Sequence, residues 1–500
     1  CKVSKTSLIF FVPCLFLPAV FTSEVTFVKV CFLINQCYIK TVYFSIRIFE
    51  MVSVRNLMRI VFFLIGVIIP VNAFCYPSVE SDAQLWKVGE RQWTIQEEER
   101  YSRWVAENIT EDFFIRHNIP VDCADVVYAI RWIYARIEHL PAAASTVDGQ
   151  LIGHWSGNWG HLPTHQQWDK DRRFRAALMF ILSRTSTRTL PLDTYPIRIA
   201  ADSVQPGTVF FIAESHAGIV QDVVADGSTA HPVQTYEATM PAHIQKLNHR
   251  NFISTRPESS FRSGLVKFRW PLKKDNGWQY LAMPEHPYYS EEQYSPTFNK
   301  GYIDYIEAVA RRIDPKDYDP YEKVNRLLEV FIRQLKERIP VVLTGYDQCY
   351  AKQCPAGSYL WEIYSTPGRD EYIYVMISHI KEIIKKNHIK RENALNKMAG
   401  IPLQIAPDQV ITVEQAFQNA VWMSSDPEDT ISNRWGLDKC SIIERRIKSA
   451  QETITFIRET YSQTNPRLAD RLIAVRQMIV NDMTEEKKKS SCADSVMIKN

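Results

Sequence analysis

The sequence has little glycine, 17 of its 500 residues, and none of it forms the Gly-rich loop that cradles nucleotide phosphates. The formal net charge of +3 is also small. Where basic residues cluster, acidic residues stand among them, as in Glu444–Arg445–Arg446, and such mixed runs are typical of solvated helix faces. We therefore expect neither nucleotide chemistry nor nucleic-acid binding. A chain of this length with 46% hydrophobic residues is long enough for two or three domains.

Long apolar runs are concentrated near the start of the chain. It begins with Cys1, and residues 1–50 are Phe-rich and apolar. From Met51, basic residues precede an apolar run and a small-residue cleavage site, so residues 51–73 have the order of a secretory signal peptide. We expect residues 1–50 to be an upstream translated segment and the mature protein to begin near Phe74.

This interpretation predicts an exported bacterial protein, periplasmic or secreted, with no stable membrane span in its mature form. The alternative keeps both apolar stretches as membrane anchors. The apolar run of the signal peptide is short for that role, because one bilayer crossing needs roughly 20 residues.

Cysteine is sparse beyond the predicted signal peptide. Cys349 and Cys354 bracket a four-residue segment, and an oxidising compartment favours a local disulfide between them. The spacing would also suit half of a zinc site, but no second cysteine pair or histidine pair completes one. The disulfide is therefore the better prediction.

The pattern along the chain predicts an α+β fold with a helical C-terminal region, and no internal repeat is found. Residues 74–112 are predicted to form a helical lead-in, and residues 113–283 to mix one strong helix with short strands. A Pro- and Tyr-rich linker leads to a helical domain, residues 297–484. Residues 485–500 are predicted to be a flexible tail.

Three stretches of the C-terminal region carry apolar residues at helical spacing, within 321–335, 443–457 and 468–479. Pro340 is predicted to end the first of these helices, because proline lacks the backbone N–H and clashes with the preceding turn.

Cys123 stands at the start of a strongly amphipathic stretch. Apolar residues recur at intervals of three and four after it, which predicts a helix, and Asp122 is a good N-cap. A thiol at that place lies at the positive end of the helix dipole, which favours thiolate. Free N–H groups there can also stabilise an oxyanion. A buried structural cysteine on an apolar helix would give a similar pattern.

His216 stands at the start of a predicted strand. Residues 209–212 form a buried run, a second run begins at His216, and Asp226–Gly227 is a turn that leads into a strand at about 231–238. The pattern predicts an antiparallel meander. A cysteine on a helix facing a histidine on a strand is an arrangement that assembles a thiolate–imidazolium pair.

Three segments, taken in order, resemble the NlpC-type cell-wall peptidases and the related CHAP amidases: Asp122–Cys123–Ala124, Gln205–Pro206–Gly207 and Ser215–His216–Ala217–Gly218–Ile219. The resemblance covers about residues 115–245. It implies a papain-like core and a cysteine hydrolase, without cofactor or metal, that cuts peptide or amide bonds in peptidoglycan. Two features depart from the family: Asp125 follows Ala124, and the interval between cysteine and histidine is long.

In this interpretation Cys123 attacks, His216 transfers the proton and a third residue orients the imidazole. If the hairpin after His216 is tight, Glu237 lies opposite it, and an acidic residue on this strand resembles the CHAP pattern. His231 and Gln234 are the alternatives. Two other functions remain open: an inactive papain-like domain that binds wall fragments or a partner protein, and a transglutaminase-like acyl transferase.

Other histidines have simpler explanations. A Trp- and Gly-rich loop contains His154, His161 and His165, but a proline separates the last two and no acidic partner is evident, so no metal site is predicted. The loop is expected to pack, or to line a cleft for sugar or peptide. His379 and His388 are expected on a Lys-rich helix surface without a special role.

Overall fold

The computed structural model describes residues 83–490 and Cys492, except residues 253–256, 299, 351, 353, 356 and 462–465. The predicted upstream segment and signal peptide lie outside the described residues. Among the residues described, no helix is both long and apolar enough to cross a membrane.

Helices and strands are mixed up to residue 280, and helices dominate after it. The helices are α1 (Ile95–Asn108), α2 (Phe113–Arg116), α3 (Cys123–Ile137), α4 (Arg172–Leu182), α5 (Leu190–Asp193), α6 (Tyr302–Ile313), α7 (Pro320–Cys349), α8 (Tyr359–Tyr364), α9 (Pro367–Lys386), α10 (Arg391–Leu395), α11 (Val413–Asn419), α12 (Ile431–Arg434), α13 (Lys439–Tyr461) and α14 (Pro466–Lys489). The strands are β1 (Ala143–Ser145), β2 (Leu151–Gly153), β3 (Thr194–Pro196), β4 (Val209–Ile212), β5 (His216–Val223), β6 (Val233–Glu237), β7 (Asn248–Asn251), β8 (Gly264–Phe268), β9 (Pro271–Lys274), β10 (Gly277–Tyr280), β11 (Pro402–Ala406) and β12 (Gln409–Thr412).

The central element is a six-stranded antiparallel sheet with the order β3-β8-β4-β5-β6-β7. Strands β4, β5 and β6 form the meander that the turn pattern predicts, and β7, which was not predicted, extends it. The mixed helices and antiparallel strands agree with the predicted α+β class. The helix that begins at Cys123 runs from Cys123 to Ile137 and packs on the sheet against β5.

The sheet is covered on both faces. Phe211 and Ile219 belong to a core shared with α1, α3 and α4. Val220 and Val233 belong to a second core, which includes Val309 of α6. Strands that are apolar on both faces need cover on both sides. Helix α6 therefore completes the sheet, although its sequence position groups it with the C-terminal helices.

The stretch predicted as a linker, residues 284–296, packs against the sheet. The His286 side chain is buried, and Gln293 is fully buried. The Gln293 side chain accepts a hydrogen bond from the Leu265 N–H (3.0 Å) and donates one to the Leu265 carbonyl (2.9 Å). This segment therefore extends the packing of the sheet and is not an exposed connection.

The prediction that Pro340 ends a helix was wrong, because α7 continues through it to Cys349. An interior proline costs about 3 kcal/mol in lost hydrogen bonding and steric conflict. Leu335 and Val342, on either side of Pro340, are fully buried, and each such side chain contributes about 1.5–3 kcal/mol on burial. Tertiary packing thus outweighs the local preference.

Two disulfides tie down the C-terminal region. Cys349 is bonded to Cys354, as predicted, and Cys440 is bonded to Cys492. The predicted flexible tail differs from the structure where it is described, since α14 stays helical to Lys489. Helix α14 packs along α13, and this contact together with the second disulfide holds the end of the helix in place.

We predict that Val309→Asp lowers the free energy of unfolding by about 3 kcal/mol or more, because it places an unpaired carboxylate in the core under the sheet. Arg311→Asp introduces the same side chain at an exposed position of the same helix and is expected to cost less than about 1 kcal/mol. Urea denaturation followed by tryptophan fluorescence measures both. Equal effects of the two variants would show that α6 does not cover the sheet.

Candidate active site

The start of α3 is fixed by a reciprocal pair of caps. The Asp122 carboxylate accepts hydrogen bonds from the N–H groups of Ala124 (3.0 Å) and Asp125 (3.1 Å), and the Asp125 carboxylate accepts one from the Asp122 N–H (3.0 Å). Asp122 is therefore the N-cap that the sequence predicts. The capping arrangement holds Cys123 as the first residue of the helix.

Cys123 is the free cysteine of the described residues, and it is 4% exposed. Its backbone N–H has no acceptor in the part of the chain that the structure describes. The chain two residues before it is also anchored: the Gln245 side-chain amide donates to the Val121 carbonyl (2.7 Å), and Val121 pairs with His243. The thiol thus has a fixed backbone and a free N–H donor beside it.

His216 and Glu237 meet across two strands. His216 is the first residue of β5 and Glu237 the last of β6, and His216 Nε2 lies 2.9 Å from a Glu237 carboxylate oxygen. The expectation that they lie directly opposite each other was wrong. Ile219 pairs with Tyr236, which places Gly218 beside Glu237. The connection is longer than a tight turn and β5 carries a bulge, so the two side chains meet diagonally.

Gly218 makes this diagonal contact possible. A Cβ atom at this position would lie 2.8 Å from Cγ of Glu237 and 2.6 Å from the Phe210 ring, both closer than van der Waals contact allows. The missing side chain leaves the path along which Glu237 reaches His216. The glycine in the Ser215–Ile219 motif is therefore explained by the lack of space for a side chain.

The imidazole of His216 is held in its charged form. Burial lowers its pKa, but hydrogen bonds with the side chains of Cys123 and Glu237, together with their charges, outweigh burial and raise the pKa to about 10. The side chain is still 29% exposed. Because Glu237 occupies Nε2, Nδ1 is the ring nitrogen left for Cys123. The three predicted site residues are therefore brought together by the fold.

Glu237 stays ionised although its side chain is only 11% exposed. Burial raises its pKa, but the hydrogen bond from His216 and the charge of Arg250 outweigh burial, so the pKa is lowered overall. The Thr235 hydroxyl donates to the other carboxylate oxygen (2.9 Å). Arg250 Nε lies 3.3 Å from the oxygen that faces His216.

Arg250 was not predicted from the sequence. It is 3% exposed on β7, donates to the Gln334 side-chain oxygen on α7 (3.3 Å), and its guanidinium lies 4.5 Å from the centre of the Tyr372 ring on α9. Arg250 therefore connects Glu237 to two helices of the C-terminal region. A polar strand of the sequence Asn-His-Arg-Asn gives no local signal of this role.

The two alternatives for the third residue do not contact His216. Successive side chains of a strand point to opposite faces, so Gln234 points away from the face that Thr235 and Glu237 share. The Gln234 side chain pairs with Asn251 (3.1 Å), and His231 bonds the Ile306 carbonyl (3.2 Å). Both side chains are therefore used in packing contacts away from His216.

An open cleft of about 860 Å³ reaches the site. Cys123, His216 and Glu237 line it. Residues of α7, α8 and α9 line it as well. The C-terminal helices therefore form a wall of the cleft, a role that the sequence did not reveal.

The start of the Trp- and Gly-rich loop is packed, His161 and His165 are exposed, and the loop does not line this cleft. His154 is 1% exposed, its ring contacts Trp155 and Trp278, and those two indoles stack 5.0 Å apart. In the described ranges, no group of three or more His, Cys, Asp or Glu residues is placed to hold a metal ion. His379 differs from expectation: it is buried and bonded to Glu307.

Comparisons of the chain with models of protein families, with curated proteins and with solved structures gave no match. The interpretation of the site depends on its residues and their geometry.

We predict that Gly218→Ala separates Glu237 from His216, because the added methyl group occupies the path of the carboxylate. The pKa of His216 then falls from about 10, because the Glu237 carboxylate no longer offsets the lowering effect of burial. An NMR titration of the imidazole measures this change. Gly368→Ala is the matched control, because a Cβ there meets no atom within 4 Å. An unchanged His216 titration in Gly218→Ala would contradict the role given to this glycine.

We also predict a pH-dependent contribution of His216 to stability. A raised pKa means that this contribution is complete below the ordinary imidazole pKa of about 6.5 and is lost as the pH rises towards 10. The difference in free energy of unfolding between the wild type and His216→Gln should therefore shrink over this range. His249→Gln is the control, because burial lowers the pKa of His249 and no such shrinkage is expected. A constant difference for His216→Gln would contradict the charged imidazole.

Proposed function

We propose that this protein is an exported cysteine hydrolase with a papain-like core of the NlpC and CHAP type, and that it cuts peptide or amide bonds in peptidoglycan. The observation that carries the proposal is the placement of a free cysteine at a helix start, beside a His216–Glu237 pair, in one open cleft. The chemistry of this site supports acyl transfer through a thioester. The peptide or amide bond and the choice of peptidoglycan both come from the sequence resemblance.

In the first half of the reaction, the Cys123 thiolate attacks the carbonyl carbon of the substrate amide. The backbone N–H of Cys123 donates to the oxygen that gains negative charge. His216 Nδ1 then gives its proton to the amide nitrogen, the C–N bond breaks, and the amine leaves. The products are a free amine and a thioester between the substrate acyl group and Cys123.

In the second half, neutral His216 takes a proton from water, and the resulting hydroxide attacks the thioester carbon. The C–S bond breaks, the carboxylic acid leaves, and the thiolate–imidazolium pair is restored. Glu237 remains ionised throughout. It holds the Nε2–H of the ring and keeps Nδ1 directed at the thiol, and it stabilises the charge of the imidazolium.

The size and lining of the cleft leave room for a peptide. Its volume of about 860 Å³ is at the upper end of the range for pockets that take small molecules. The lining comes from the sheet and from the C-terminal helices. A peptide lying between them would pass the thiol with residues bound on both sides of the cleaved bond.

We predict that iodoacetamide labels Cys123 rapidly at pH 6, where an ordinary thiol with a pKa of about 8.5 is almost fully protonated. His216→Ala should slow the labelling at least tenfold. His249→Ala is the matched control, because His249 lines the same cleft and has no role in the pair. Mass spectrometry of the labelled protein measures the rate and locates the modified residue.

The variants Cys123→Ala, His216→Ala and His249→Ala are then assayed for release of amines from a panel of cell-wall peptides. Loss of hydrolysis in Cys123→Ala and His216→Ala, but not in His249→Ala, is expected. Slow labelling that does not depend on His216 would show that Cys123 is a structural cysteine, and the proposed hydrolase would have to be abandoned.

A further inference from the structure

Arg369 occupies a distinctive place in the cleft. It lies in the first turn of α9 and lines the cleft together with Cys123 and His216. One of its terminal nitrogens donates to the Asn248 side-chain oxygen (2.9 Å). Asn248 pairs in β7 with Glu237 in β6. The Arg369 guanidinium is thus held at β7, the strand next to β6, which carries the Glu237 carboxylate that orients His216.

Other cations of the cleft are paired with acids. Lys246 bonds Glu111, and Arg333 lies 4.0 Å from Glu337. Among the residues described, Arg369 has no carboxylate within this distance. Glu362 and Glu371, which also line the cleft, make no ion pair with it. Arg369 therefore brings a positive charge to the cleft without a directly bonded counter-charge.

The charge of Arg369 is only partly balanced by its surroundings. Burial, followed by the nearby charge of Arg250, lowers its pKa to about 10 against the opposing charges of Glu337 and Asp370, so the side chain is still cationic at neutral pH. A guanidinium has five N–H donors, and the contact with Asn248 uses one terminal nitrogen.

We propose that Arg369 forms a carboxylate-binding subsite, and that the substrate is a peptide with a carboxylate about three residues from the cleaved bond. This inference rests on the proposed hydrolase function. The spacing follows from the sheet: β5 and β7 are two strand intervals apart, about 10 Å, and an extended peptide covers about 3.3 Å per residue. A carboxylate and a guanidinium can form two parallel hydrogen bonds, which gives both affinity and orientation.

The test uses binding and not turnover. Hexapeptides with blocked ends, each carrying one Glu at a varied position, are titrated against the Cys123→Ala protein by calorimetry, beside the matching Gln peptides. We expect at least one Glu peptide to bind about ten- to a hundredfold more tightly than its Gln partner. Adding Arg369→Gln should remove this preference, and Arg369→Lys should keep part of it.

Arg333→Gln in the Cys123→Ala protein is the matched control, since Arg333 lines the same cleft but has an acidic partner, and the preference for Glu should persist. Thermal unfolding of each variant verifies that the fold is intact. Equal binding of all Glu and Gln peptides, or a preference that survives Arg369→Gln, would overturn the subsite. If the preference depends on Arg369 but the wild-type protein cuts none of the peptides that bind, the subsite stands and the hydrolase proposal fails.

Discussion

The Glu237 carboxylate is removed from water between two cationic groups, His216 and Arg250, and the geometry of the site depends on this arrangement. A buried carboxylate is costly unless it is paired and hydrogen-bonded. His216 needs Glu237 to fix the ring, and Glu237 needs Arg250 to remain charged. Arg250 in turn depends on Gln334 and Tyr372 for its position. One chain of contacts thus leads from the thiol to the C-terminal helices.

This dependence makes the helical region a structural part of the site. A helical domain joined by an exposed linker would move independently of the site and would serve best as a separate binding module. Here the stretch 284–296 is packed, α6 covers the sheet, and α7 and α9 hold Arg250 while they line the cleft. The helices are therefore part of the structure that sets the charge of the site, and they also line the cleft beside it.

The parts of the site that the sequence predicts are those with a local cause. The Asp122 cap and the helix after Cys123 follow from residues within one helical segment, and the strand at His216 follows from its own apolar run. Glu237 was identified by its strand, although the register was wrong, because a bulge and a long connection are not visible in a periodic pattern. The role of Arg250 and the continuation of α7 through Pro340 depend on packing between distant segments. A local sequence pattern does not reveal such packing.

The buried network also bears on whether the cleft serves catalysis or only binding. Replacing a buried ion pair by apolar residues is often neutral or stabilising, so stability alone gives little reason to bury Glu237 and Arg250 together. Gly218 adds conformational freedom to the unfolded chain and contributes no side chain to the core, yet it leaves room for the carboxylate to reach the imidazole. These features favour a residue set arranged to charge and orient His216. Because the charge of Glu237 is already shared by His216 and Arg250, it does not neutralise Arg369, which lines the same cleft.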